Sequence, residues 1–367
     1  MSSVRDHLRP TWAEIDLAAF ERNIEAIHAR LPEGARLAAV LKANAYGHGA
    51  VELAKRCRPE RVAMIVTALL EESLELRHAG ITLPLLVLGA LSETQVRLAV
   101  DNDILVGIPG PEPLANAALV AKDRDVRVHL KLDSGMGRMG IVEDELPGVI
   151  ELLRATPRLR VEGIYTHFAS AGDPRDPLTS HQQARFEAML TTLRQAGIDA
   201  PLHHTSNSAA TMRGLVRPGE FARVGLSLYG AEPLDVGSSK LEPLMRWRTA
   251  IVRLKELPAG HPVGYGATFH TTRPSRIATL PVGYADGYSR HLSNKGEVLV
   301  RGQRAAVVGR VSMDLVTIDV TDLDAAPGDE VVLLGDGITA EELAEKIGTI
   351  SWEVFCAVSA RVPRIYR

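Results

Sequence analysis

Cysteine is scarce in this chain, with Cys57 and Cys356 the only two in 367 residues. Two cysteines cannot build a framework of bridges or a cysteine-rich metal site, so no metal is expected and both read as reduced thiols of a cytoplasmic protein. An excess of either charge is also missing. Forty-two Lys and Arg against 45 Asp and Glu leave a formal net charge of −3, which removes any electrostatic case for nucleic acid or an anionic membrane surface. No apolar run approaches the roughly 20 residues that a membrane-spanning helix needs. The opening MSSVRDHLRPTWAEID lacks a basic segment followed by an apolar core, so no secretory signal is expected. No internal repeat or low-complexity tract stands out, and the composition, 46% hydrophobic and 24% charged, is that of an ordinary globular chain.

What is present is an alternation. Between residues 17 and 230, short apolar runs rich in branched residues recur as RLAAVLK, RVAMIV, PLLVLG, ILVGI, DVRVHLKLD, RVEGIYTHF, PLHHTSNS and FARVGLSLYG. Stretches with helical spacing and a charged face lie between most of them, clearest in LAAFERNIEAIHARL, TALLEESLELRHAG and SHQQARFEAMLTTLRQAG. Eight strands alternating with helices over about 220 residues predict a parallel (β/α)8 TIM-like barrel. A doubly wound open sheet competes, but its glycine-rich turn after the first strand is absent, because ANAYGHG follows Lys42.

After residue 240 the pattern changes to RTAIVRLKEL, SRIATLPVG, GEVLVRG, QRAAVVGRV, LVTIDVTD and DEVVLLG, strands separated by short turns. Only TAEELAEKIG reads as a helix there, with Thr339 as its N-cap. The expected organisation is α/β: a barrel over 12–240 and a mostly β domain over 241–367. Residues 1–16 end in the strand-like TWAEID, able to pair with either.

Lys42 ends the first barrel strand, in RLAAVLKANAYGHGA. Barrel active sites sit at the C-terminal strand ends, and a lysine in a partly dry pocket can present a free amine to a carbonyl. The plainer reading is a lysine that caps a strand and reaches solvent, and position alone leaves the two level. The segments after the seventh and eighth strands, TSNSAA (205–210) and RVGLSLYG (223–230), stand where barrels bind phosphate through small side chains and backbone amides. A reactive lysine facing a phosphate cradle is the arrangement for pyridoxal phosphate.

Ordered motifs in both halves sharpen this reading. With AVLKANAYGHG, LKLDSGMGRMG, THFASA, NSAA, RVGLSLYG, VGYGATF, LPVGYADGY, VGRVSMD and RVPRIYR, the chain resembles, nearly end to end, the alanine racemases of the barrel-plus-β-domain type. The resemblance implies interconversion of L- and D-alanine by two bases on pyridoxal 5′-phosphate, D-alanine for peptidoglycan, and a homodimer whose active sites are shared across the interface. Lys42 matches the cofactor lysine and the base on the D face. Tyr265 matches the base on the L face, contributed across the subunit interface; by itself it is a ring in a glycine turn. Arg223 matches the arginine facing the pyridine nitrogen, which it cannot protonate fully because a guanidinium keeps its proton.

Arg138 matches the arginine that holds the cofactor ring oxygen and the substrate carboxylate, and Lys131 the lysine that many members carry as a carbamate beside it. His167 matches a histidine near the cofactor ring; beside Arg223 it is expected to stay neutral. Tyr46, Ser208, Gly225 and Leu226 match the phosphate-binding set, with Asn207 in the same NSAA motif. Tyr284 and Met313 match residues brought to the substrate pocket by the β domain. Two departures stand out. Ser312 replaces a cysteine before Met313 and Asp314, and Ala360 stands where some members have a tyrosine that narrows the entrance. A wider entrance and some activity on serine are expected from the second.

Three other functions compete. A related barrel-plus-β decarboxylase pairs the pyridine nitrogen with a carboxylate, against which Arg223 and Tyr265 argue. A non-catalytic single-barrel cofactor carrier lacks the β domain. A broad-specificity amino-acid racemase is the nearest rival.

Overall fold

A computed structural model describes residues 9–231 and 241–367. Two compact units result: one holds Phe20–Ala45 and Ala50–Glu242, the other the residues up to Ala19, Tyr46–Gly49 and Pro243–Arg367. Residues 1–8 of the strand-like N-terminal segment, and residues 232–240 beside the expected domain boundary, lie outside the described residues.

In the first unit the eight expected strands are the eight observed. They are β1 (Arg36–Val40), β2 (Val62–Thr67), β3 (Leu85–Val87), β4 (Ile104–Ile108), β5 (Val126–Lys131), β6 (Leu159–Tyr165), β7 (Leu202–His204) and β8 (Phe221–Val224). Each of β1 to β6 pairs in parallel with the next, and β8 pairs in parallel with β1. Arg223 N donates to Ser206 O at 2.9 Å, which brings β8 against the end of β7. Runs such as ILVGI are buried at every residue, the mark of parallel strands covered on both faces. The expected helices form over Leu17–His28, Leu70–His78 and Leu178–Gln195. The last two stop at left-handed glycines, Gly80 at φ +84° and Gly197 at φ +79°, where a side chain would be strained.

In the second unit, six strands run in the order Gln303–Ala306, Glu297–Val300, Glu330–Leu334, Met245–Ala250, Thr11–Ile15, Arg364–Tyr366. Thr11–Ile15 pairs antiparallel with Met245–Ala250 and parallel with Arg364–Tyr366. A three-stranded sheet joins Arg253–Leu257, Ser275–Leu280 and Val316–Asp319. The run RTAIVRLKEL, expected as one strand, therefore divides at Ile251 and Val252 between two sheets. The helix Ala340–Ile347 is capped as expected, Thr339 Oγ1 accepting from Glu342 N at 3.0 Å.

A second helix, Ser351–Ala357, corrects the expectation of a single one. Its cap position is Ile350, which offers no acceptor, and its Val and Phe residues favour strands. Its buried residues nonetheless fall at 351, 354 and 355, with Val358 buried just past its end, a helical spacing. Among the described residues no helix is long and apolar enough to cross a membrane. Among them, too, no three His, Cys, Asp or Glu side chains gather as metal ligands would.

Candidate active site

Lys42 stands two residues beyond the buried end of β1, itself half-buried. The four residues after it, Ala43, Asn44, Ala45 and Tyr46, all have φ between 51° and 53°. This is a left-handed turn without glycine, at a cost of about 1–2 kcal/mol per residue. Ala45 N closes it onto Leu41 O at 2.8 Å, Asn44 Oδ1 accepts from Ala50 N at 2.8 Å, and Glu72 Oε1 accepts from Ala43 N at 2.6 Å. Glycines follow where the chain is tightest. A Cβ on Gly47 would lie 2.6 Å from Phe355 O, and one on Gly49 only 1.9 Å from Tyr366 Oη. Tyr46 is buried, and burial, then the nearby Cys356, push its phenol above the ordinary range. It remains a neutral hydrogen-bond donor.

Arg223, on β8, is 4% exposed. Its guanidinium donates to Thr166 O at 2.6 Å, to His204 O, to His204 Nδ1 at 2.8 Å and to His167 Nδ1 at 3.2 Å, and lies 5.2 Å from the Tyr165 ring centroid. Burial lowers its pKa to about 10, while Tyr165 and Glu220 oppose the shift. It stays a cation at neutral pH, hydrogen-bonded to carbonyls and imidazoles.

Those imidazoles stay neutral. Burial first, then Arg223, hold His167 at about 3, with Lys131, Arg138 and Lys42 adding to the effect. His204 is lowered well below its ordinary value by the same two leading causes. Arginine only donates, so His204 Nδ1 is the acceptor and its proton sits on Nε2, 2.8 Å from His129 Nδ1. Tyr165 stacks on His204 at 4.7 Å. Gly163 makes room for this pair, since a Cβ there would lie 2.2 Å from His129 Nδ1. His129, Tyr165 and His204 were not among the expected site residues. Their signal was polar rings on barrel strands, HLK and HHT, where an apolar core leaves such rings unexplained. Gln182 was missed as well: fully buried, it donates to His167 O at 3.0 Å and accepts from Ala169 N at 2.8 Å.

Lys131 ends β5, 7% exposed, with its pKa lowered to about 8 by burial, then by Arg138 and Arg223, against the pull of Asp133. Asp133 shapes the following loop, its carboxylate accepting from the N–H groups of Gly135 at 2.9 Å, Met136 at 2.8 Å and Gly137 at 2.9 Å. Burial pushes that carboxyl up, but the three N–H groups and Lys131 together bring it below the usual range. Arg138, at the tip, is exposed.

Ser208 and Gly225 meet directly, Gly225 N donating to Ser208 Oγ at 3.0 Å, which leaves the hydroxyl proton free to turn outward. Leu226 is buried and opens the short turn Leu226–Tyr229. Asn207 differs: its Oδ1 caps Ala210 N at 3.0 Å and its Nδ2 donates to Phe168 O at 3.2 Å. Its side chain is engaged in holding the loop. The barrel thus brings together a strand-end amine, a buried cation, and hydroxyl and backbone donors. That donor set fits a phosphorylated aldehyde with a ring nitrogen.

In the β unit, Tyr265 is 73% exposed, on a turn flanked by Gly264 at φ +74° and Gly266 at φ +71°. Tyr284 and Met313 come together through Tyr284 N to Ser312 O at 3.0 Å and Ala285 N to Met313 O at 3.1 Å. Gly283 permits this approach, a Cβ there lying 2.3 Å from Met313 O. The fully buried Asp286 pairs with Arg9 at 2.7 Å and Arg361 at 3.6 Å, and Arg361 also holds Asp314 at 2.7 Å. Ser312 Oγ donates to Leu315 O at 2.7 Å, a local turn that needs no thiol. Ala360 is exposed.

The family description "Alanine racemase, N-terminal domain" matches residues 15–233, and "Alanine racemase, C-terminal domain" residues 244–366. The chain is 41% identical to the alanine racemase of Halothermothrix orenii over 98% of this chain and 97% of that one. It is 42% identical to that of Symbiobacterium thermophilum over 98% of each. Among solved structures, the alanine racemase of Bacillus anthracis with bound L-Ala-P superposes with a TM-score of 0.92 at 37% identity, covering 98% of this chain and 95% of that one. The biosynthetic alanine racemase of Pseudomonas aeruginosa gives 0.87 at 36%, covering 98% and 100%.

Proposed function

The chain belongs to the alanine racemase family, and we propose that, as an isomerase of that family, it interconverts L- and D-alanine with pyridoxal 5′-phosphate held on Lys42. The observation that carries this reading is Arg223: a buried cation among neutral imidazoles, in the same barrel mouth as the Lys42 amine. Bound there, pyridoxal phosphate supplies an electron sink that acidifies the α C–H of an amino acid.

The chain's own groups divide the remaining work. For L-alanine, Tyr265 as its phenolate would take the α-proton, becoming the phenol, and Lys42 as its ammonium would deliver one to the opposite face, becoming the amine; the reverse direction exchanges the roles. Two bases are needed because a single one tends to return the proton to the face it left. Arg223 hydrogen-bonds the ring nitrogen without surrendering its proton, which limits charge withdrawal into the ring and disfavours transamination. His167, kept neutral, packs and hydrogen-bonds beside the ring. Ser208 and the N–H group at Leu226, with the Tyr46 phenol, would hold the phosphate; Gly225 acts through the N–H that anchors Ser208 Oγ, and Asn207 through its cap.

Arg138 takes the substrate carboxylate and the ring oxygen. Lys131, with its pKa near 8, holds enough free amine at neutral pH to combine with carbon dioxide, and the resulting carbamate orients Arg138. Met313 and Tyr284 line the substrate pocket. The exposure of Tyr265, Tyr284 and Met313 on one unit supports their use across the interface of a homodimer. We assign the barrel to the span 12–240 and the β domain to 241–367, with Thr11–Ile15 joining the β domain by strand pairing. A cytoplasmic setting, with D-alanine delivered to peptidoglycan, fits two unbridged cysteines. Ala360 favours a second reading, some turnover of serine through a wider entrance; Ala360→Tyr should then lower kcat/KM for serine more than for alanine.

The decisive experiment is the visible spectrum of the purified protein with pyridoxal phosphate, followed by an assay of D-alanine formation. The absorbance and the activity should both vanish on Lys42→Ala. A coloured wild type that racemises no amino acid overturns the proposal.

A further inference from the structure

Glu72, in the helix Leu70–His78, accepts backbone N–H groups from two different loops of the barrel. Its Oε2 takes Ala68 N at 2.9 Å and Leu69 N at 3.1 Å, and its Oε1 takes Ala43 N at 2.6 Å. The first two contacts are what an acid at the third helical position does at many helix starts. The contact with Ala43 serves no helix. It reaches back 29 residues to the N–H directly after Lys42.

The parallel ladder fixes β1 only as far as Leu41, whose N–H donates to Val66 O at 3.0 Å. Past Leu41 the backbone leaves the sheet and enters the left-handed turn of Ala43–Tyr46, a conformation L-residues resist. A tether at the first residue of that turn decides whether the chain holds this path. Ala43 and Asn44 are exposed, so side-chain packing does not hold the turn there, and hydrogen bonds must. Glu72 bonds Ala43, and Asn44 bonds Ala50.

We infer that Glu72 is a positioning residue for Lys42: its carboxylate locks the left-handed turn to the end of the neighbouring strand and so fixes the direction of the lysine amine. This rests on the reading of Lys42 given above. The same carboxylate ties the turn after β1 to the loop after β2, so the amine is referenced to two strands of the barrel.

The test compares wild type, Glu72→Ala, Glu72→Gln, and Glu72→Ala combined with Ala43→Gly and Ala45→Gly, which leaves the Asn44 bond to Ala50 in place. Amide hydrogen exchange is followed by mass spectrometry on the cofactor-free protein, and uptake of added pyridoxal phosphate by absorbance. Glu72→Ala should speed exchange in residues 43–47 by about tenfold, the worth of one charge-assisted bond, and slow cofactor uptake by a similar factor. Glycine occupies the left-handed region without penalty, so the added glycines should restore uptake. Glu72→Gln, which keeps one acceptor oxygen, should fall between and serves if the alanine variant folds poorly. Faster exchange confined to residues 68–78 with unchanged uptake would reduce Glu72 to a helix cap and overturn the inference, as would failure of the glycine pair to restore uptake. Retention of both cofactor uptake and racemisation by Lys42→Ala would sink the reading of Lys42 instead, and leaves the exchange result standing.

Discussion

Arg223 donates to His204 Nδ1 at 2.8 Å, and that one bond fixes where the proton of the His204 ring sits. A guanidinium cannot accept, so the imidazole must. Replacing Arg223 with Glu reverses the relationship, because a carboxylate draws a proton onto Nδ1 and pairs with a protonated ring nitrogen. It also leaves Thr166 O and His204 O without their donor, at about 1–3 kcal/mol for each buried group. Racemisation should fall roughly 10²-fold or more, the scale of removing one electrostatic stabiliser. Pyruvate should appear as a by-product as transamination becomes competitive. Steady-state assays of D-alanine and pyruvate check both parts.

The buried imidazoles predict a stability that fails in acid. His129 is fully buried, and burial, then Arg223 and Arg127, lower it from an ordinary 6.5 to about 3. With the folded pKa below the unfolded one, the unfolded chain binds the extra proton first as pH falls. Stability is therefore complete above about pH 6.5 and is lost progressively toward pH 3. Between pH 7 and pH 5 this ring alone should remove about 2 kcal/mol. Urea unfolding at the two pH values measures the difference, and His129→Gln should shrink it.

Lys131 gives a prediction with the same direction, lost in acid. Its pKa of about 8, set by burial and then by Arg138 and Arg223, leaves a usable fraction of free amine at neutral pH. Intact-mass spectrometry under mild conditions with bicarbonate should show the added mass of one carbon dioxide, lost on acidification and absent in Lys131→Met. The variant should raise KM for alanine more than it lowers kcat, because Arg138 would lose the charge that orients it.

The barrel was legible because parallel strands buried on both faces must be continuous apolar runs, as ILVGI and the LAAV of β1 are. Lys42 was singled out by the ordered motif it stands in, since its place after an apolar run alone left it level with a lysine that reaches solvent. Glu72 and Gln182 were not, because each serves a backbone group that only folding brings near: Ala43 for one, His167 and Ala169 for the other. The division of RTAIVRLKEL between two sheets was hidden for a similar reason, since strand propensity continues across Ile251 and Val252 while the ladder partners change. The helix Ser351–Ala357 carried its spacing openly but lacked a cap, and strand-favouring residues masked it.

Gly163 is where sequence and site constrain each other most tightly. A methyl group there would stand 2.2 Å from His129 Nδ1, and the ring it would displace holds His204, which holds Arg223. Gly163→Ala should cost about 1–3 kcal/mol as an overpacked core change. It should also weaken racemisation, although no atom of Gly163 is placed in the reaction. Equilibrium unfolding and kcat measured on the same preparation should show both losses.

Tyr265→Phe separates the two faces of the reaction. The phenol is the only group assigned to the L face, and Lys42 remains for the D face. Racemisation in both directions should therefore drop by roughly 10²–10⁴-fold, the usual worth of a general acid or base. Exchange of the α-proton of D-alanine with deuterated water needs only Lys42 and should persist, whereas exchange from L-alanine should fall with racemisation. Nuclear magnetic resonance of each isomer, incubated separately with the variant, reads the two rates. Equal loss of exchange from both isomers would mean that the tyrosine serves binding rather than one face of the proton transfer.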